Sequence, residues 1–195
     1  MARTAAETRA QLLQVAGELF YWKGVRATGV DLVAAQAGVA PTTLYRLFGS
    51  KDDLVAAYVE HADQEGRERW ATAIDAAGPD PRDQILALFD AGFAYVDSEQ
   101  FRGCPMMMTL AEFPDPDLPA HRMAVEGKSG FRELVGELTG RLGVDDPAGL
   151  ADQLMLVMEG LFASGQSLGP DGPAKQARHL VEMILSTVTA RRRSS

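Results

Sequence analysis

The chain has a single cysteine, Cys104, in 195 residues, which excludes an intrachain disulfide and any cysteine-rich metal framework. Its three histidines, His61, His121 and His179, are scattered, with no HxxxH or partner-cysteine spacing. No metal site is therefore expected. No apolar run approaches the roughly 18–20 residues that span a bilayer. The longest candidate, 154–163, is interrupted by Glu159. The opening MARTAAETRA carries charges where a secretory signal needs an apolar core. A cytoplasmic protein with no membrane partner is the expectation. Alternating strand patterns, internal repeats and low-complexity tracts are missing too. So are G-x-S-x-G, P-loop and paired catalytic motifs. No enzyme, no catalytic residue and no cofactor is expected.

What is present is helical periodicity. Thr4-x-x-Glu7 reads as a capping box for a helix over 4–23, with Leu12, Ala16, Leu19 and Phe20 as its apolar stripe and Gly24 as its stop. Ser50-x-x-Asp53 caps a fourth helix reaching about residue 76, with Leu54, Ala57, Tyr58 and His61 on its inner side. Gly78-Pro79-Asp80-Pro81 is a break, and Asp80 caps a fifth helix over 81–98. A sixth follows over 104–113. A seventh runs over 118–142 along Val125, Phe131, Leu134, Leu138 and Leu142. Asp146-Pro147 starts an eighth that lasts to about 168, and a ninth covers 174–190. The fold class is all-α, about nine helices in total.

The segment 28–48 organises the rest. Thr28 and Asp31 suit a capping box, Gly38 suits a tight turn, and Pro41 suits the first turn of a second short helix. Leu44, Leu47 and Phe48 point that second helix inward, leaving Thr42, Thr43, Tyr45 and Arg46 outside. This is the layout of a helix-turn-helix. The spacing of Thr28, Val33-Ala34, Ala37-Gly38-Val39, Leu44-Tyr45, Phe48, Lys51 and Leu54 resembles the N-terminal domain of the TetR family of bacterial transcriptional regulators. The likeness covers about residues 2–57. It departs from the family at Ala40, where Ser or Thr is usual before the recognition helix. The division it implies is a helix-turn-helix DNA-binding domain over 1–50 and a larger helical bundle for ligand binding and dimerisation over 51–195.

Charge agrees with that division. The net charge is −8, but residues 1–51 hold six Lys/Arg against three acids, +3, leaving −11 for the rest. A weakly basic head on an acidic body keeps non-specific DNA affinity low, because that affinity comes mostly from phosphate neutralisation. Thr28 and Lys51 lie at or beside helix N-termini, where amide groups and the dipole attract phosphate. The resemblance implies that Thr28, Tyr45 and Lys51 contact the DNA backbone. Thr42, Thr43 and Arg46 face the groove, where Arg reads guanine bidentately. Arg3 joins them as part of an arm.

The body is rich in methionine, a flexible side chain that fills adaptable apolar cavities. The resemblance implies a small-molecule pocket there. Its expected lining is Phe89, Phe93, Met107 and Met108, with Phe113, Met123, Met155 and Met158. Helical spacing alone fits plain core equally well. Cys104 reads as a small buried hydrophobe, and Glu112 with Asp115 and Asp117 as a solvated helix end. Leu154, Leu161 and Phe162 on the eighth helix, with Leu180, Ile184 and Val188 on the ninth, are the implied homodimer interface. Arg191–Arg193 suit a helix C-terminus. The expected function is a dimeric repressor of double-stranded operator DNA, released by an unidentified small apolar effector. The alternative is a protein-interaction module that uses the helix-turn-helix as scaffold.

Overall fold

The computed structural model describes residues 3–193, with side chains to residue 188. The described residues form nine α-helices and one 3-10 turn, and no strand. They run α1 (Ala5–Lys23), α2 (Val30–Gln36), α3 (Pro41–Phe48), α4 (Lys51–Ala76), α5 (Pro81–Val96), α6 (Pro105–Glu112), α7 (Pro119–Arg141), α8 (Pro147–Leu168), the 3-10 turn Pro173–Gln176, and α9 (Ala177–Arg193). The chain forms two compact units. One holds Met1–Gln64 and Pro105–Gly127; the other holds Glu65–Cys104 and Lys128–Ser195. The unit with the helix-turn-helix thus runs past residue 50 and takes in α6.

In the first unit the local signals behave as written. Thr4 caps α1: the Glu7 amide donates to the Thr4 hydroxyl at 3.2 Å, and the Thr4 amide donates to Glu7 Oε2 at 2.7 Å. These bonds, backbone first, hold the Glu7 carboxyl below the usual carboxylate range. Gly24 ends α1 at φ 88°, a left-handed backbone that costs glycine little. The Asp53 amide donates to the Ser50 hydroxyl at 3.0 Å and starts α4. The core is Leu12, Ala16 and Phe20 of α1, Val33 of α2, Leu44 and Phe48 of α3, and Leu54 of α4. Phe20 meets Tyr58 edge-on at 5.7 Å.

Ala40 stands at the N-cap of α3 with no side-chain bond, and Pro41 fills the first turn. The missing cap costs about 1 kcal/mol. Burying Leu44 and Phe48 contributes about 1.5–3 kcal/mol each, so packing rather than capping holds α3.

In the second unit α5, α8 and α9 pack on one another. Asp80 caps α5 through the Arg82 amide, and Asp146 caps α8 through the Gly149 amide, each at 2.8 Å. Gly92 lets α8 lie close: a Cβ there would sit 3.0 Å from both Leu161 and Met158. Lys128 pairs with Glu159 at 2.6 Å, which accounts for the acid inside the apolar run of α8. Trp70 packs on Phe131, and Tyr95, Phe101 and Phe162 form an aromatic cluster with Arg69 over Tyr95.

Four expectations need correction. Thr28 caps nothing; the N-cap of α2 is Gly29, without a side-chain bond. His61 is exposed, and the buried face of α4 in this unit is Leu54, Val55, Tyr58 and Val59. On α7, Val125 is exposed while Ala120, Ala124 and Gly127 are buried. A close-packed face selects small side chains there, which a hydrophobicity pattern ranks below valine. Finally, Leu154, Leu161 and Phe162 are buried within one chain, because α8 turns that stripe into its own unit.

Candidate nucleic-acid interface

The outward face of the helix-turn-helix is built by α3. Leu44 and Phe48 anchor it, and the three-to-four-residue period then turns Thr42, Tyr45 and Arg46 outward. Tyr45 is 47% exposed although aromatic, so the residue is not core. Thr43 is half-buried beside them. Arg3 is exposed just ahead of α1. On α1, the guanidinium of Arg9 lies 4.7 Å over the Phe48 ring and backs the end of α3.

The turn after α1 is held from three sides. The Thr28 hydroxyl donates to the Gly24 carbonyl at 2.8 Å, and the residue is fully buried. The Lys51 ammonium donates to the Val25 carbonyl at 2.8 Å. Glu112, the last residue of α6, accepts from the Val25 amide at 3.1 Å and from the Arg26 amide at 2.8 Å. Arg26 returns two bonds to the Glu112 carbonyl, Nε at 3.0 Å and Nη2 at 2.8 Å. An orphan carbonyl at a helix end is thereby satisfied.

Of the residues expected at DNA, Thr42, Thr43, Tyr45 and Arg46 share α3, and Lys51 begins the next helix. Thr28 has no exposed surface for a phosphate and serves the turn from inside. Glu112, expected as part of a solvated helix end, instead accepts from two backbone amides of the turn. Its partners lie 86 and 87 residues away, so no local signal marks it.

The expected ligand set falls in both units. Phe89, Phe93, Met155 and Met158 belong to the second, with Phe89 and Met158 buried. Met107, Met108, Phe113 and Met123 belong to the first. Met107 is 39% exposed there, and the Phe113 ring has the Arg26 guanidinium 5.9 Å away. Cys104 is buried. Of the dimer set, Leu180 is exposed and Ile184 and Val188 are half-buried. The side chains of Arg191–Arg193 lie outside the described residues. Among the described residues no cluster of three or more His, Cys, Asp or Glu could hold a metal. No helix among them is long and apolar enough to cross a membrane.

Comparison with known proteins agrees with this geometry. Residues 12–58 match the family of bacterial regulatory proteins, tetR family. SCO4454, a TetR-family transcriptional regulator from Streptomyces coelicolor, is 33% identical; the match covers 94% of this chain and 96% of that one, with a TM-score of 0.88. The HTH-type transcriptional regulator YjdC of Escherichia coli is 26% identical over 178 residues, 91% of this chain and 93% of its own. The HTH-type transcriptional activator FasR of Mycolicibacterium smegmatis is 35% identical over 102 residues, 49% of this chain and 44% of its own. These relatives are transcriptional regulators, not enzymes. The chain belongs to the TetR family and is a DNA-binding transcriptional regulator.

Proposed function

We propose that two copies of the chain form a repressor that binds a pseudo-palindromic operator and leaves it when a small apolar ligand occupies the larger helical part, residues 51–195. The observation that carries the DNA side is the outward face of α3, where Thr42, Tyr45 and Arg46 stand exposed over a fully buried Leu44. Arg46 and Thr42 read base edges in the major groove, and Tyr45 and Lys51 hold phosphates. Thr43 assists at the groove, and Arg3 reaches the backbone ahead of α1.

The dimer is supported by an outward stripe on α8: Leu156, Gly160, Ala163 and Ser167, all exposed at successive helical turns. Leu156 is 72% exposed, and a Cβ at Gly160 would meet nothing, so a second helix can approach closely. On α9, Leu180 and Met183 are exposed, with Ile184 and Val188 at their edge. Two-fold pairing through α8 and α9 sets the separation of two heads. Half-sites then lie about one helical turn apart, near 34–36 Å.

Ligand coupling runs through continuous chain. Helix α4 passes from one unit to the other at residues 64–65, and α7 does so at 127–128. A ligand held by Phe89, Phe93, Met155 and Met158, or by Met107, Met108, Phe113 and Met123, weakens DNA binding by the factor with which DNA weakens ligand binding. A second reading has the ligand promote binding; it draws on the likeness to FasR, an activator. Selection of bound duplexes from a random pool, repeated with candidate apolar ligands, tests both. A recovered palindrome whose affinity falls with ligand supports release, a rise supports promotion, and recovery of no preferred sequence overturns the operator reading.

A further inference from the structure

The amide of Arg26 and the carbonyl of Val25 are the two ends of one peptide group. That group is planar and trans, so its N–H and C=O point in opposite directions and turn together. Glu112 accepts from the N–H edge at 2.8 Å, and the Lys51 ammonium donates to the C=O edge at 2.8 Å. The second Glu112 oxygen takes the preceding amide, Val25, at 3.1 Å and removes the remaining rotation. The bonds returned by Arg26 to the Glu112 carbonyl fix the end of α6 against the same turn. A carboxylate on one edge and an ammonium on the other polarise the peptide in the same sense, so each bond strengthens the other.

Lysine carries three donors on a long flexible stem. Tethering one of them to Val25 holds the ammonium at the first residue of α4, half-buried rather than sweeping through solvent. We propose that Glu112 is a positioning residue for DNA binding: it fixes the 25–26 peptide, and that peptide aims the Lys51 ammonium at a phosphate. The inference rests on the reading of Lys51 as a backbone contact. It makes α6, 61 positions downstream of Lys51 at its last residue, part of the DNA-binding apparatus without touching DNA.

The test uses the full-length chain and a fluorescently labelled mixed-sequence duplex, since phosphate contacts do not depend on sequence. Binding is measured across a salt series for wild type, Lys51→Gln, Glu112→Gln and the double variant, with thermal unfolding alongside. Glu112→Gln keeps the side-chain size but turns one acceptor into a donor facing an N–H. Lys51→Gln is expected to make the log–log salt slope shallower by about 1. Glu112→Gln is expected to do nearly the same, and the double variant to bind no more weakly than Lys51→Gln alone.

A wild-type slope for Glu112→Gln beside a reduced one for Lys51→Gln overturns the inference alone. So does additivity in the double variant. Lys51→Gln binding like wild type removes the phosphate role and the inference with it. Wild type that binds no duplex at low salt removes the DNA reading itself. Should Glu112→Gln unfold below the assay temperature, Glu112→Asp, which keeps the charge and shortens the reach, gives the same readout.

Discussion

Thr28 and Gly24 meet at 2.8 Å inside the head, hydroxyl to carbonyl, and tie the start of the helix-turn-helix to the end of α1. The bond is sealed from solvent on the threonine side. Replacing Thr28 by Val keeps the shape and leaves that carbonyl without its partner. An unmet buried acceptor costs about 1–3 kcal/mol. Urea unfolding of Thr28→Val is expected to show a loss in that range, while the salt slope of DNA binding stays at the wild-type value. A reduced slope at unchanged stability would return Thr28 to the phosphate contacts.

Arg46 and Tyr45 sit side by side on α3 but are expected to fail differently. Arg46→Ala relaxes preference at one operator position at a cost of about 1–3 kcal/mol. Tyr45→Phe weakens every sequence by the same factor, because it removes a backbone contact. Binding to a panel of single-base operator variants separates the two; a uniform loss for both disproves base reading by Arg46.

Leu154 and Leu156 are two positions apart on α8 and face opposite ways. Leu154→Ala opens a cavity in the monomer and is expected to cost about 2–5 kcal/mol of stability. Leu156→Asp places a charge on the outward stripe and is expected to yield folded monomers. Sedimentation of Leu156→Asp checks this, and an unchanged dimer moves the two-fold elsewhere.

Gly160 and Gly165 test the same helix by volume. A Cβ at Gly165 would press into Val96 and Phe101, so Gly165→Ala is expected to cost about 1–3 kcal/mol by overpacking. A Cβ at Gly160 meets nothing in the single chain. Gly160→Ala is expected to leave monomer stability equal or raised by up to about 1 kcal/mol, while weakening self-association. Thermal midpoints at several protein concentrations read both effects.

Glu7 gives the N-terminus of α1 a pH dependence. Its carboxyl is held low by the Thr4 amide and hydroxyl. A lowered folded value means stability is fully present above the unfolded value and disappears as pH falls through the folded one. Protection of the Thr4 amide, its exchange measured against the intrinsic rate at the same pH, is therefore expected to be lost on acidification below the usual carboxylate range. In Glu7→Gln that step should vanish; persistence of the step assigns it to another acid.

Local chemistry was readable because it is local. Thr4 with Glu7, Asp80 with Arg82 and Asp146 with Gly149 each close within three residues, and the sequence pattern marks the first residue of every pair as a helix start. Leu44 and Phe48 against Tyr45 and Arg46 follow from a single helical period. What escaped depends on chain meeting distant chain. Thr28 looked like a cap, but the turn brings it back onto Gly24. Glu112 looked like one acid among several until α6 reached residues 25 and 26. Val125 lost its place to Ala124 because closeness between helices is a property of the pair, not of either strip of sequence.

The helix-turn-helix unit is discontinuous: it ends once at Gln64 and again at Gly127. Splicing onto another regulator at a point within α4, after Lys51, would therefore leave part of the unit behind. A chimera made that way would strand the Val25 and Arg26 amides and release the ammonium of Lys51. A faithful graft has to carry 105–127 as well, or borrow a carboxylate from its new host at the same spot.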